Sequence, residues 1–492
     1  MKKIFVGLVC SLVSGCAGSG GHHKTPGLQK NTETTPKVEK TTVVEVSPVT
    51  SQIVVSETNI ARNEKNVTLP ASCYYEEDTP ISSDNFTSIY DTVALKLAGL
   101  GNDVDAEYAD FIRTKWKKLN ENSLGLMRSW SQKYILPLIG EYQTVFYPFG
   151  GPDVSCPFKF FPDAHTYILV GLEPIGNFRN ISENIKNPEI HGAMKRAFSW
   201  FLQKGFFVTS EMCKTLSSKF LNGTLYLILP QLARMGFNIS NIEDLSIASD
   251  GKEVARTKGA IDCVKITCQK STDETPRLVY YVRVNLAEQN PRLDNLINFM
   301  KNRSFVTFLK SASYALYCRT LVKFKKFLLA NSRAVLQDDT GIPFDSFDKN
   351  WQKYAFGIYK GPLTKIFKDY KQQSMIDFYQ NSDTIEIPFK MGYGFYQARP
   401  SLLLTVRKTA QANQSAVDSV EKVIVGNKPD AANRLLVPTP SAIDFLDKNS
   451  IRNKLLQQKI SATSANTTMP TVDEEALHQY MSKMLTITEK GY

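Results

Sequence analysis

The sequence predicts an α/β fold: a mixed, partly parallel sheet with helices on both faces, Rossmann-like in plan. An N-terminal helical block and a disordered N-terminal tether precede it. Three observations predict it. Helix-period segments alternate with strand-like runs from about residue 84 to residue 408, the order of βαβ units rather than of segregated layers. Runs such as YILVGL (Tyr167–Leu172) and SLLLTV (Ser401–Val406) lack apolar/polar alternation, as strands buried on both faces do. A glycine-rich turn follows one strand candidate and an acid closes the next. That layout places a ligand site at the carboxyl ends of an open sheet.

From Asp84 to about Ile139 the chain reads as helical. Phe111, Ile112, Trp116 and Leu119 recur at three and four, and Pro137 closes the block. TVFYPF (Thr144–Phe149) and TYILVGLE (Thr166–Glu173) are strands. HGAMKRAFSWFLQKG is a helix that Gly205 stops. GTLYLILPQLARMGF gives an apolar run and then a helical turn. AIDCVKITCQ and RLVYYVRVNL, joined by KSTDETP, form a hairpin. Asn290 to Leu328 reads as helical with a break near Asn302. AVLQDD, YAFGIYKG and SLLLTVRK are three more strands. From about Thr409 the chain turns polar. Residues 84–408 are therefore expected to form the globular domain, and residues 409–492 a polar, partly helical tail.

The N-terminus has a different character. Lys2 and Lys3 precede an apolar stretch, Ile4–Val13, too short to span a bilayer. Val13-Ser14-Gly15-Cys16 follows and resembles the bacterial lipobox. The resemblance implies a signal peptide at 1–15, cleavage before Cys16 and acylation of that cysteine, with palmitate among its chains. More than one acyl chain gives stable anchoring, at about 0.8 kcal/mol per buried methylene. Ala17 in place of Asp implies sorting to the outer membrane, on its periplasmic or surface side. Residues 16–70 are small, polar and charged, without helical periodicity, and read as a flexible tether. About fifty such residues span on the order of 40 Å r.m.s.. His22 and His23 fall in it and read as solvated polar residues.

The net charge is +11; loss of Lys2 and Lys3 lowers it by two, to +9. A basic balance favours anionic envelope components as partners, and the compartment argues against nucleic acid. The basic runs KWKK and KFKK interleave with aromatics and read as amphipathic helices with snorkelling lysines. Six cysteines remain in the chain beyond Cys16, and their pairing is not readable. Cys263 and Cys268 fall in one strand-like run. Five strand residues separate them by roughly 16 Å, on opposite faces, so they do not pair with each other. No zinc-type cluster occurs, and the sequence implies neither a metal nor a cofactor.

The stretch YPFGGPDVSCPFKFFPDAHTYILVGLEPIG (Tyr147–Gly176) concentrates the candidate site residues. Glu173 stands 23 residues after Gly150, the spacing of nucleotide and S-adenosylmethionine sites. The match is partial: Gly150-Gly151-Pro152 is not GxGxxG, and Pro152 removes a backbone donor where an anion would sit. This stretch, with AVLQDDTGIPFDSF and PFKMGYGFYQARPSLLLTVRK, resembles an uncharacterised family of bacterial secreted proteins and lipoproteins. That family carries YPFSGPD…FFP.A..Y.L.GLEP.G and LQDDSGIP segments. The resemblance covers roughly Asp84 to Lys408 and implies a shared scaffold without a particular activity. Gly150 stands where the family tends to carry Ser, so a hydroxyl nucleophile is missing there.

His165, near Asp153 and Asp163, reads as a general base or as a strand-end histidine. Asp338 and Asp339 read as carboxylates for acid/base or cation work, or as turn chemistry. Adjacent strand residues face opposite ways, so both serve one site only if the strand has ended before them. Tyr393, Tyr396 and Arg399 are candidates for an aromatic groove. Two functions lead, ahead of a third, an adhesin or host-facing factor. The first is a non-catalytic envelope lipoprotein for binding or envelope maintenance. The second is an extracytoplasmic hydrolase- or transferase-like enzyme with a site around Asp153, His165, Glu173 and Asp338. The enzyme reading requires those four to gather at the strand ends, and it loses most of its support if His165 and Asp338 lie far apart.

Overall fold

In the computed structural model the chain is described over residues 88–207, 221–362, 365–393 and 400–408, with positions 212, 215 and 216. The expected signal peptide, Cys16, the expected tether and C-terminal tail, Tyr396 and Arg399 lie outside the described residues. Among the described residues no helix is long and apolar enough to cross a membrane.

The fold class is the expected one. Ten strands form one sheet in the order β4-β3-β5-β6-β2-β1-β7-β8-β10-β9. They are β1 Thr144–Tyr147, β2 Thr166–Gly171, β3 Asn238–Ile247, β4 Glu253–Ala255, β5 Ile261–Gln269, β6 Arg277–Arg283, β7 Phe305–Leu309, β8 Ser332–Gln337, β9 Trp351–Gly357 and β10 Ser401–Arg407. The five central strands β6, β2, β1, β7 and β8 are mutually parallel. Antiparallel strands flank them: β5, β3 and β4 beyond β6, and β10 beyond β8. From β1 the chain steps to β2 and β6 on one side. It then returns to β7 and β8 on the other, so the order reverses beside β1.

The helices fill both faces, and two hydrophobic cores lie either side of the sheet. One core joins Val145, Tyr147, Tyr167 and Leu169 to the helices of the N-terminal half. These are α1 (Ile89–Leu97), α2 (Ala106–Leu119), α3 (Gly125–Tyr134), α4 (Leu136–Ile139), α5 (Ser155–Phe160), α6 (Phe178–Asn184), α7 (Glu189–Lys204) and α8 (Leu225–Arg234). The other core joins Phe146, Ile168 and Val170 to α9 (Leu293–Met300), α10 (Val322–Asn331) and α11 (Gln373–Gln380). Alternate residues of β1 and β2 thus serve opposite cores, which is why these strands read as continuous apolar runs.

Local chemistry sets the helix ends. Ser88 caps α1 through the Asp91 amide at 3.1 Å, and Asp105 caps α2 through the Tyr108 amide at 2.8 Å. Gly205 ends α7 in the left-handed conformation, with φ 71°.

Three elements depart from the sequence reading. The span from Asn290 to Leu328 is not helical throughout: it holds α9, the central strand β7 and then α10. Strands β3 and β4 arise from a polar segment. The Leu225–Arg234 stretch is one helix, with Pro230 inside it. The hairpin is β5–β6, and Cys263 and Cys268 face opposite cores, both as free thiols.

Candidate functional site at the strand ends

Parallel β2, β1, β7 and β8 bring their carboxyl ends to one edge of the sheet, next to the reversal in strand order. Asp153 follows β1, Glu173 follows β2, Lys310 follows β7, and Asp338 and Asp339 follow β8. All five are buried.

Asp153 is held from three sides. Its Oδ2 accepts from Lys310 Nζ at 2.5 Å and from the Tyr147 hydroxyl at 3.3 Å, and its Oδ1 accepts from the Cys156 amide at 3.2 Å. Lys310 also donates to the Gly205 carbonyl at 2.6 Å and to Cys156 Sγ at 3.2 Å. Three partners match the three ammonium protons. Burial alone would strip the charge from Lys310. Asp153 and Cys156 outweigh that, and the ammonium titrates above the ordinary lysine range. Burial pushes the Cys156 thiol up to about 12.

Glu173 Oε2 accepts from the Tyr281 hydroxyl and from the Leu172 amide, each at 3.0 Å. The carboxylate and Tyr281 lie over Gly171, where a Cβ would come within 2.4 Å of both. The glycine turn packs on the same ground: the Gly151 amide donates to Val170 at 3.1 Å. The turn and the acid are brought together, the Glu173 carboxylate lying close over Gly151, but Tyr281 and the Leu172 amide hold it. Gly150 has its own reason: a Cβ there would stand 2.5 Å from the Tyr147 ring.

Asp338 and Asp339 lie past the end of β8, so both belong to the site edge. Asp338 Oδ2 accepts from the Ser311 amide at 2.7 Å, and Oδ1 accepts from the Thr340 hydroxyl at 2.5 Å and the Thr340 amide at 3.0 Å. Asp339 Oδ2 accepts from the Tyr314 hydroxyl. Its Oδ1 is buried with no hydrogen-bond partner among the described residues. Burial and the neighbouring Asp338 push the Asp339 carboxyl up to about 7; burial raises Asp338 as well.

The backbone here is strained. Phe149, Ser311, Ser313 and Tyr314 have φ between 53° and 68°, a region that costs an L-residue roughly 1–2 kcal/mol. Such positions gather at working sites when the surroundings over-determine them. The amides of Ser311, Ala312 and Tyr314 are bound to Asp338 Oδ2, the Thr340 hydroxyl and the Thr340 carbonyl.

His165 does not join this group. It precedes β2, at the opposite edge of the sheet from Glu173, and six strand residues separate those edges by about 20 Å. Its Nδ1 pairs with Thr166 Oγ1 at 3.0 Å. It is the strand-entry histidine, not the base of this site. Tyr393 is half-buried: its hydroxyl pairs with Ser313 Oγ at 2.7 Å and its ring packs on Phe206 and Phe367. Lys310, Ser311 and Tyr314 escaped the sequence reading because the strand that presents them did.

No family model matches the chain, and no curated protein or solved structure matches it either.

Proposed function

We propose that the protein is a bacterial envelope lipoprotein, anchored through Cys16 at the outer membrane, whose α/β domain captures a ligand rather than transforming one. The lipobox, the short apolar leader and the polar tether support the anchor. One observation carries the non-catalytic part. Most of the charged groups at this edge are spent on neighbouring protein groups, Lys310 on Asp153, Cys156 and Gly205, and Asp338 on Ser311 and Thr340, while Asp339 keeps Oδ1 open to a ligand. The histidine that would serve as a base lies at the other edge.

A second reading, the extracytoplasmic hydrolase- or transferase-like enzyme, keeps one point in its favour. Ser311 is strained and its hydroxyl is buried without a partner, close to Asp338. Two variants in a deletion strain decide. Cys16→Ser is expected to lose incorporation of labelled palmitate; a variant that still labels refutes the anchor. Ser311→Ala is expected to complement the deletion as the parent chain does. A failed rescue by a variant that keeps both its thermal stability and its ligand binding would favour the enzyme instead.

A further inference from the structure

Resting on the reading of this edge as a capture site, we propose that the corner around Asp339 binds the ammonium head of a small amine. Asp339 is 1% exposed, and its Oδ1 has no donor among the described residues. A buried acceptor without a donor costs about 1–3 kcal/mol, more when charged, so the oxygen calls for an external donor. The Tyr317 hydroxyl, which feels the Asp339 charge, is likewise buried without a partner among the described residues.

The walls are aromatic. Tyr314, which holds the other Asp339 oxygen, stacks on Tyr370 with ring centres 4.6 Å apart. Tyr317 stands edge-on to both, at 5.4 Å from each, and Phe367 lies 5.0 Å from Tyr314. Tyr317 and Tyr370 are half-buried, so the outer wall of the corner reaches the surface.

A carboxylate oxygen and a phenol oxygen among ring faces define the ligand's chemistry. It must donate hydrogen bonds, carry positive charge and be compact. An ammonium group brings three donors. A divalent cation would demand more carboxylate oxygens. Asp338 supplies none, because Ser311 and Thr340 hold both of its oxygens. Among the described residues no group of three or more His, Cys, Asp or Glu could hold a metal. Lys310 does not fill the place, since its protons are directed to Asp153, Cys156 and Gly205.

The test is thermal unfolding and titration calorimetry of the full mature chain at about pH 8, where Asp339 is ionised. The probes are ammonium and methylammonium chloride, set against sodium, potassium and tetramethylammonium chloride at equal ionic strength. The first two are expected to raise Tm by roughly 2–4 °C beyond the others. Asp339→Asn should abolish that difference. Tyr317→Phe, which keeps the ring, should weaken methylammonium binding about tenfold, and it decides the matter if the Asn variant fails to fold. Equal rises in all salts overturn the proposal. So does a rise with potassium as large as with ammonium, or an ammonium-specific rise that survives in Asp339→Asn. A flat response removes the ligand class and leaves the capture reading to the Ser311→Ala rescue.

Discussion

At the scale of single residues, the strand-end edge is governed by what burial does to charge. Lys310 and Asp153 form an ion pair with side chains 1% and 2% exposed. Such a pair adds little over a well-packed apolar core, but breaking it strands a charge at a cost of about 3–5 kcal/mol. Lys310→Met should therefore lose stability on that order in urea unfolding. Adding Asp153→Leu should recover part of it, but not all, because Asp153 also receives the Cys156 amide. Asp339 sets a pH dependence of opposite sign to most carboxylates. Its folded value of about 7 lies above its unfolded one. Its contribution is full below the unfolded value and lost as pH rises through about 7. Asp338, Tyr314, Tyr317, Tyr359 and Tyr379 surround it electrostatically; none of them brings a cation. In sodium buffers, stability should fall between about pH 5 and pH 8 by on the order of 2–4 kcal/mol. Asp339→Asn should flatten most of that slope. Asp338 is raised in the same direction and leaves a residue of it.

At the scale of elements, the loop after β7 shows where sequence reading succeeds and where it stops. Asp153, Glu173 and the Asp338–Asp339 pair were legible because glycine and proline punctuate the turns that present them, and turn chemistry is local. β7 was not. FVTFL is five residues long, buried on both faces and flanked by helical segments, so its apolar run carries no period that separates strand from helix. With the strand went Lys310 and Ser311, the residues that follow it. β3 failed for the opposite reason: it is long but polar and partly exposed, and its pairing with β5 rather than its composition makes it a strand. His165 was legible as a strand-end residue, but sequence proximity to Asp153 does not reveal that a whole strand length lies between the two edges. The strain in this loop is testable. Ser311 has φ 53° and a buried, unpartnered hydroxyl, and both penalties vanish in Ser311→Gly. Its amide, which binds Asp338, is kept. That variant should gain about 1 kcal/mol in denaturant unfolding; a loss would show that the hydroxyl has a partner in solution.

At the scale of the molecule, one sheet divides two cores, and that division governs the thiols. A disulfide needs Cα atoms within about 7 Å. Cys268 and Cys156 lie in the core of the N-terminal helices, while Cys263 lies in the opposite one with the whole sheet between. All three are free and buried. Burial holds the Cys156 and Cys268 thiols up to about 12, and it raises Cys263 as well. The thiolate is the reactive form, so these three should stay inert even under oxidising conditions. Maleimide should label none of them in the native protein within the time that labels an unfolded control completely. All three should label once urea opens the cores. Because each core is closed by helices from a different half of the chain, the order of labelling at intermediate urea reports which face opens first. Simultaneous labelling of Cys263 and Cys268 would mean that the sheet and its two helical layers unfold as one cooperative unit. Labelling of Cys263 ahead of the other two would place the weaker layer on the side of α9, α10 and α11.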